Sequence, residues 1–142
     1  MKDSFFLTFP TMPKGTSQQK GIRIVNGKPL FFEKSKVESA ERQFRFALSK
    51  HIPERPSDKP IKLVIWFVFD TKDKHKWGKV KPTRPDTDNY LKLFKDCMTA
   101  GKDGRGFWID DAQVVDEHVL KTYGEVARIY VSWEETDEII LD

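Results

Sequence analysis

The segment 84–89 reads Arg-Pro-Asp-Thr-Asp-Asn and places two carboxylates close together in the chain. Pro85 favours an extended backbone around it. In an extended segment Asp86 and Asp88 point to the same side. Two carboxylates about 4 Å apart repel each other by about 4 kcal/mol at an effective dielectric of 20. A cationic side chain or a divalent metal ion offsets such repulsion, and oxygen ligands suit a hard ion such as Mg²⁺.

A helix is predicted directly after this pair, from Asn89 to Thr99, with Asp88 as its N-cap. Lys92 then lies one turn beyond Asp88 on the same face, and Asp96 lies one turn further. Lys92 can offset one carboxylate charge of a catalytic site. The spacing equally allows a structural interpretation, in which Asp88 only caps the helix and Lys92 is only its ion-pair partner.

A second acidic pair, Asp110-Asp111, follows a glycine-containing turn and the apolar segment 107–109. Adjacent residues of an extended chain face opposite ways, so only one of the two easily joins the first pair. The spacing does not decide which one. A plain turn is the structural alternative for these two residues.

Basic residues crowd the stretch between the fourth predicted strand and the first acidic pair. We call them the basic loop: Lys72, Lys74, Lys76, Lys79, Lys81 and Arg84. Such a cluster is typical of a surface that binds the phosphate backbone of DNA, and a merely solvated loop is the alternative. Trp77 in this loop is expected either to stack on an exposed base or to pack against the protein.

The elements that must position these residues follow the order β-β-β-α-β-α-β-β. Strands are predicted at 5–9, 22–25, 30–32, 61–69, 114–123 and 126–133, and helices at 35–51 and 89–99. Asn26-Gly27 predicts a hairpin turn, and Ser35 with Glu38 predicts a capping box. The order predicts an α+β fold with a mixed β-sheet and two main helices, in a single domain over residues 1–142.

Composition excludes several classes of protein. With 142 residues, 38% hydrophobic and 33% charged, the chain is globular rather than disordered. The lone Cys97, predicted to be buried in a helix, excludes internal disulfides and Cys-based zinc sites. His51, His75 and His118 are scattered and suggest no metal site. The apolar run 5–9 is too short for the core of a signal peptide, and no apolar run reaches membrane length, so a cytoplasmic location is expected.

Three spaced motifs are similar to a known family. The pattern R-P-D-x-D-N-x-x-K at 84–92, the pattern G-x-W-x-D-D-x-Q-V at 106–114, and Lys121 further on resemble the RusA crossover-junction endodeoxyribonucleases. The resemblance implies a RusA-like homodimer, commonly encoded by phages and prophages. It also implies symmetric cutting of four-way (Holliday) DNA junctions in recombination and repair, with Mg²⁺ or Mn²⁺ as cofactor.

The resemblance also implies roles for particular residues. It places the catalytic, metal-binding carboxylates at Asp86, Asp88 and Asp111, and the essential lysine at Lys92. It thereby chooses Asp111 over Asp110, which becomes a candidate supporting residue. These groups would hydrolyse a backbone phosphodiester while the basic loop holds the DNA.

Two other functions are weighed against a nuclease. One is a branched-DNA-binding module without catalysis, and the other is a phage structural protein whose acidic clusters are caps and turns. The chain also departs from the family pattern. Segment 10–15 lacks the asparagine expected there, and the loop 70–84 is longer than in short family members. Another branched or flapped DNA is therefore an alternative substrate.

Overall fold

The computed structural model describes the backbone of residues 1–15, 21–25, 28–32 and 34–137, and the side chains of 1–15 and 37–137. Its elements are β1 (Lys2–Phe9), β2 (Gly21–Val25), β3 (Lys28–Phe32), α1 (Lys34–Leu48), β4 (Ile61–Asp70), α2 (Thr87–Met98), β5 (Val114–Gly124) and β6 (Ala127–Glu135). Short 3₁₀ turns lie at Ser49–His51, Lys74–Lys76 and Asp111–Gln113. The predicted order of strands and helices is confirmed.

Four strands form one mixed sheet in the order β1-β6-β4-β5. Strands β4 and β5 are parallel, whereas the β1–β6 and β4–β6 pairs are antiparallel. Parallel neighbours need a long crossover, which α2 and its flanking loops supply here. The α+β class with a mixed sheet is therefore confirmed.

Strands β2 and β3 form a separate antiparallel pair, with Val25 opposite Lys28. The predicted turn residues Asn26-Gly27 lie outside the described residues. The predicted N-cap Ser35 falls inside α1, which begins at Lys34, so that helix start is wrong. No helix in the described part of the chain combines the length and apolar character needed to cross a membrane.

The core lies between the two helices and one face of the four-stranded sheet. Strand β4 buries alternate residues from Ile61 to Phe69 on its core face, as a half-covered strand should, and Val68 is buried as well. The two helices meet this face with a cluster of fully buried rings. Phe44 of α1 and Phe94 of α2 pack edge to face with centroids 5.1 Å apart. The predicted burial of Cys97 in α2 is confirmed.

The segment after α2 folds back against the end of that helix. Phe107 and Trp108 are both fully buried, and isolated bridges join Trp108 to Thr99 and to Ser57. Gly106 allows this close approach, because a Cβ atom there would stand 2.4 Å from the backbone nitrogen of Ala100. The second acidic pair, Asp110-Asp111, therefore lies near the C-terminal end of α2.

Candidate active site

The first acidic pair lies at the N-terminal end of α2. Asp86 is the N-cap residue and has an extended backbone, with φ −66° and ψ 144°, but its side chain makes no capping hydrogen bond. The N–H of Tyr90 donates to the Asp86 carbonyl and closes the first turn. Thr87 and Asp88 are therefore already helical. The prediction that Asp88 is the N-cap is wrong, and strand alternation does not govern the pair.

Further along α2, Lys92 and Asp96 form an ion pair at 3.9 Å. Lys92 follows Asp88 by four residues and Asp96 follows Lys92 by four, as the predicted helical spacing requires. Within the described residues, the ion-pair partner of Lys92 is therefore Asp96 rather than Asp88. The Lys92 side chain is 58% exposed, so its ammonium remains accessible to a ligand.

The two carboxylates of the second acidic pair, Asp110 and Asp111, make different contacts. Asp110 caps the turn Asp111–Gln113, because its side chain accepts a hydrogen bond from the Ala112 N–H at 2.9 Å. The Gln113 side chain completes the capping box and donates to the carbonyls of Ser57 and Lys59. Asp110 is therefore a structural turn residue.

Asp111 instead contacts the C-terminal end of α2. It accepts a hydrogen bond from the Thr99 hydroxyl, whose oxygen accepts one from the buried Trp108 Nε1 at 2.9 Å. The carboxyl group of Asp111 also lies next to that of Asp96. Burial and this contact raise the pKa of Asp96 above its ordinary value, although Lys92 acts in the opposite direction. The sequence offered no signal for Thr99, because this residue lies between the two motifs, 84–92 and 106–114, and belongs to neither.

Helix α2 separates the two groups of carboxylates. Asp86 precedes its first residue, whereas Asp111 contacts residues at its end, and the 12 residues between span about 18 Å. Among the residues described, no three acidic, histidine or cysteine side chains stand close enough to hold a metal ion. One chain therefore does not bring Asp86, Asp88 and Asp111 together. Their donor atoms, all carboxylate oxygens, nevertheless suit Mg²⁺.

The basic loop lies beside the N-terminal end of α2. Lys72, Lys74, Lys76, Lys79 and Arg84 are exposed, and Lys81 is half-buried. Trp77 is also half-buried, and its Nε1 donates to the Thr71 carbonyl at 2.8 Å. The structure therefore favours packing over base stacking for Trp77.

A cavity of about 510 Å³ opens between segment 11–15 and the residues Arg84 and Pro85, which lead into α2. Asp70 stands in its wall and accepts hydrogen bonds from the Thr11 hydroxyl and the Met12 N–H, both at 2.8 Å. Burial opposes ionisation, but these hydrogen bonds outweigh it and lower the pKa of Asp70. The buried Tyr90 hydroxyl donates to the Pro13 carbonyl. The segment that departs from the family pattern is thus held next to Arg84 and Pro85.

Comparison with known proteins identifies the class. The family model described as "Endodeoxyribonuclease RusA" matches residues 10–134. A protein of Lactococcus phage r1t, named "Crossover junction endodeoxyribonuclease rusA", is 33% identical over 133 residues, covering 92% of this chain and 96% of that protein. "Uncharacterized protein YqaN" of Bacillus subtilis (strain 168) is 29% identical over 119 residues, covering 76% of this chain and 80% of that protein. The fold and these matches define an endodeoxyribonuclease. The chain belongs to the RusA family.

Proposed function

We propose that residues 1–142 act as one endonuclease domain that cuts four-way DNA junctions by paired symmetric nicks, in DNA recombination and repair in the cytoplasm. The observation that carries this proposal is the 33% identity, across nearly all of both chains, to a phage protein named for crossover-junction cleavage. The gene is proposed to be of phage or prophage origin for the same reason. Mg²⁺ is the proposed cofactor, with Mn²⁺ as the alternative ion.

The proposed catalytic groups are Asp86, Asp88, Asp111 and Lys92, with the three carboxylates as metal ligands. When bound, the metal ion supplies positive charge at the scissile phosphate. The exposed ammonium of Lys92 lies on the same helix as Asp88 and is free to reach a phosphoryl oxygen on which charge develops. The exposed members of the basic loop hold neighbouring phosphates, an interaction that gives affinity with little base specificity.

A homodimer would resolve the separation of the carboxylates. Asp86 and Asp88 lie at the N-terminal end of α2, which is about 18 Å long, whereas Asp111 contacts Thr99 just beyond its C-terminal end. We propose that two copies associate so that Asp111 of one copy faces Asp86 and Asp88 of the other. Two-fold symmetry then supplies two equal sites, as a symmetric junction requires.

A branched-DNA-binding module without catalysis is the second candidate. The lack of a three-carboxylate group within the described part of one chain favours it. Carboxylates without a metal ion, however, repel phosphate. A module that only binds DNA therefore has no use for the four carboxylates on α2 and its flanks, which are Asp86, Asp88, Asp96 and Asp111. Metal-dependent cleavage separates the two candidates.

The test uses three labelled DNAs, a four-way junction, a matched linear duplex and a flap, each incubated with Mg²⁺ or with EDTA. Paired nicks in opposite strands of the junction alone, and only with Mg²⁺, are the expected result. Cleavage of the flap or duplex at equal rates would contradict the junction selectivity. Tight binding of the junction without cleavage under Mg²⁺ or Mn²⁺ would support the binding module instead.

A further inference from the structure

The backbone strap Thr83–Pro85 connects the basic loop to Asp86. Its carbonyl oxygens accept hydrogen bonds from two lysine ammonium groups. Lys121 Nζ donates to the carbonyls of Thr83 and Pro85, each at 2.6 Å. Lys81 Nζ donates to the Arg84 carbonyl at 2.5 Å and to the Thr83 hydroxyl at 2.6 Å. Three successive carbonyl groups directly before Asp86 are thus held by two side chains.

Both lysines are themselves fixed on neighbouring backbone. Lys121 lies on β5, and the Lys81 N–H donates to the Lys121 carbonyl at 3.0 Å. The Lys81 ammonium also lies over the Phe69 ring, 5.1 Å from its centroid, and over the Tyr123 ring at 5.4 Å. A cation so placed gains from the ring as well as from the carbonyl groups.

The two like charges lie close enough to act on each other. Burial and the nearby Lys81 lower the pKa of Lys121, while Asp86 opposes this effect. An ammonium group has three N–H donors, and the strap occupies two of them on each lysine. These two lysines therefore differ from Lys72, Lys74 and Lys79 of the basic loop, whose side chains are exposed.

We propose that Lys81 and Lys121 are positioning residues that clamp the strap Thr83–Pro85 and so set the place of Asp86, rather than contacts to DNA phosphate. This inference rests on the proposed function, in which Asp86 is a catalytic carboxylate. It also removes Lys81 from the members of the basic loop that are expected to contact DNA. It also gives Lys121, the last residue of the family pattern, a physical role. A misplacement of a reacting group by about 1 Å can lower a rate by about 100-fold.

Two measurements on the full chain distinguish a clamp from a phosphate contact. The first is hydrogen–deuterium exchange of the free protein, read on peptides that cover residues 83–90. Lys121→Met and Lys81→Met are expected to exchange faster there than the wild type, while Lys50→Met, an exposed lysine after α1, is expected to match it. Unchanged exchange in both strap variants would overturn the proposal.

The second measurement is the salt dependence of junction binding in EDTA, followed by fluorescence anisotropy. The slope of log K against log salt becomes shallower by about 0.9 for each duplex phosphate that the protein no longer neutralises. Lys79→Met is expected to show such a change, whereas Lys121→Met and Lys81→Met are expected to retain the wild-type slope. A change of about 0.9 in the strap variants would overturn the clamp.

Single-turnover cleavage then tests the consequence for Asp86. The strap variants are expected to lose about 10- to 100-fold in rate at saturating junction, with Lys121→Arg recovering part of the loss. A full rate at saturating DNA in both methionine variants would overturn the positioning role. If the wild type does not cleave any DNA, the proposed function fails, but exchange and salt slope still decide the clamp. Should a methionine variant fail to fold, Lys121→Gln takes its place.

Discussion

The hydroxyl of Thr99, the residue that follows α2, donates a hydrogen bond to the carboxylate of Asp111. The same oxygen accepts from Trp108 Nε1, which is fully buried. Thr99→Val removes both interactions, and the contact of this hydroxyl with the Lys95 carbonyl at 2.9 Å, at nearly constant volume. We expect a loss of about 1–3 kcal/mol in the free energy of unfolding, because a buried N–H is left without a partner. We also expect about 10- to 100-fold slower junction cleavage.

Thr99→Ser is the matched control, since it keeps the hydroxyl and loses only a methyl group. Thermal unfolding and cleavage at saturating junction check both expectations. Near wild-type cleavage by Thr99→Val would show that the orientation of Asp111 does not depend on this hydroxyl.

The separation of Asp86 from Asp111 along α2 makes the proposed homodimer testable by mixing. Asp86→Asn and Asp111→Asn are each expected to be inactive alone. When the two proteins are mixed and allowed to exchange subunits, a shared site predicts that one intact site per mixed dimer returns. The measurement is nicking of one junction strand by the mixture. If the mixture stays inactive although subunit exchange is demonstrated, the site is not shared between copies.

Gly106 is expected to be a strictly required residue of the second motif. An added Cβ would stand 2.4 Å from the Ala100 nitrogen and 2.8 Å from the Thr99 carbonyl carbon, and backbone atoms cannot easily yield. Gly106→Ala should therefore destabilise the fold by about 3 kcal/mol. Gly101→Ala, whose Cβ meets only the Asp103 side chain at 3.6 Å, is the control. Equal denaturation midpoints for the two variants would refute this explanation of the turn.

Cys97 should be unreactive in the folded protein. Burial raises the pKa of its thiol to about 12, so little thiolate forms at pH 8. We expect Ellman's reagent to react at least about 100-fold more slowly than in denaturant. The folded state holds the Cys97 thiol proton more tightly than the unfolded state. The contribution of this proton to the free energy of unfolding is therefore complete below the ordinary thiol pKa of about 8.5, and it is lost as the pH rises toward 12. Equal reaction rates with and without denaturant would contradict the burial.

Much of the fold follows from local pattern. The run of β-branched and aromatic residues from Ile61 to Phe69 predicts β4, and the face formed by Ala40, Phe44 and Leu48 predicts α1. Both agree with the observed burial. Helix starts were less predictable. A carboxylate at Asp86 or at Asp88 can cap a helix equally well by type, and the extended backbone at Asp86 decides where α2 begins.

The arrangement of the site could not be predicted from spacing. Helical periodicity correctly places Lys92 and Asp96 on one face of α2. It does not reveal that Asp111 meets Asp96 at the end of that helix, because this contact depends on the backbone bridge between Trp108 and Thr99 that folds the following segment back. The contacts of Lys121 with Thr83 and Pro85 are equally hidden from local pattern, since they join residues more than 35 positions apart in the chain.

The most direct test of the central claim compares the wild type with Asp86→Asn on one labelled four-way junction in Mg²⁺. Binding affinity is measured in EDTA by titrating the junction with protein, and strand cleavage is measured in Mg²⁺ at saturating protein. A metal-dependent carboxylate site predicts paired nicks by the wild type, and a variant that binds the junction about as tightly but does not cut it. Cleavage by Asp86→Asn at the wild-type rate, or cleavage by the wild type in EDTA, would contradict such a site.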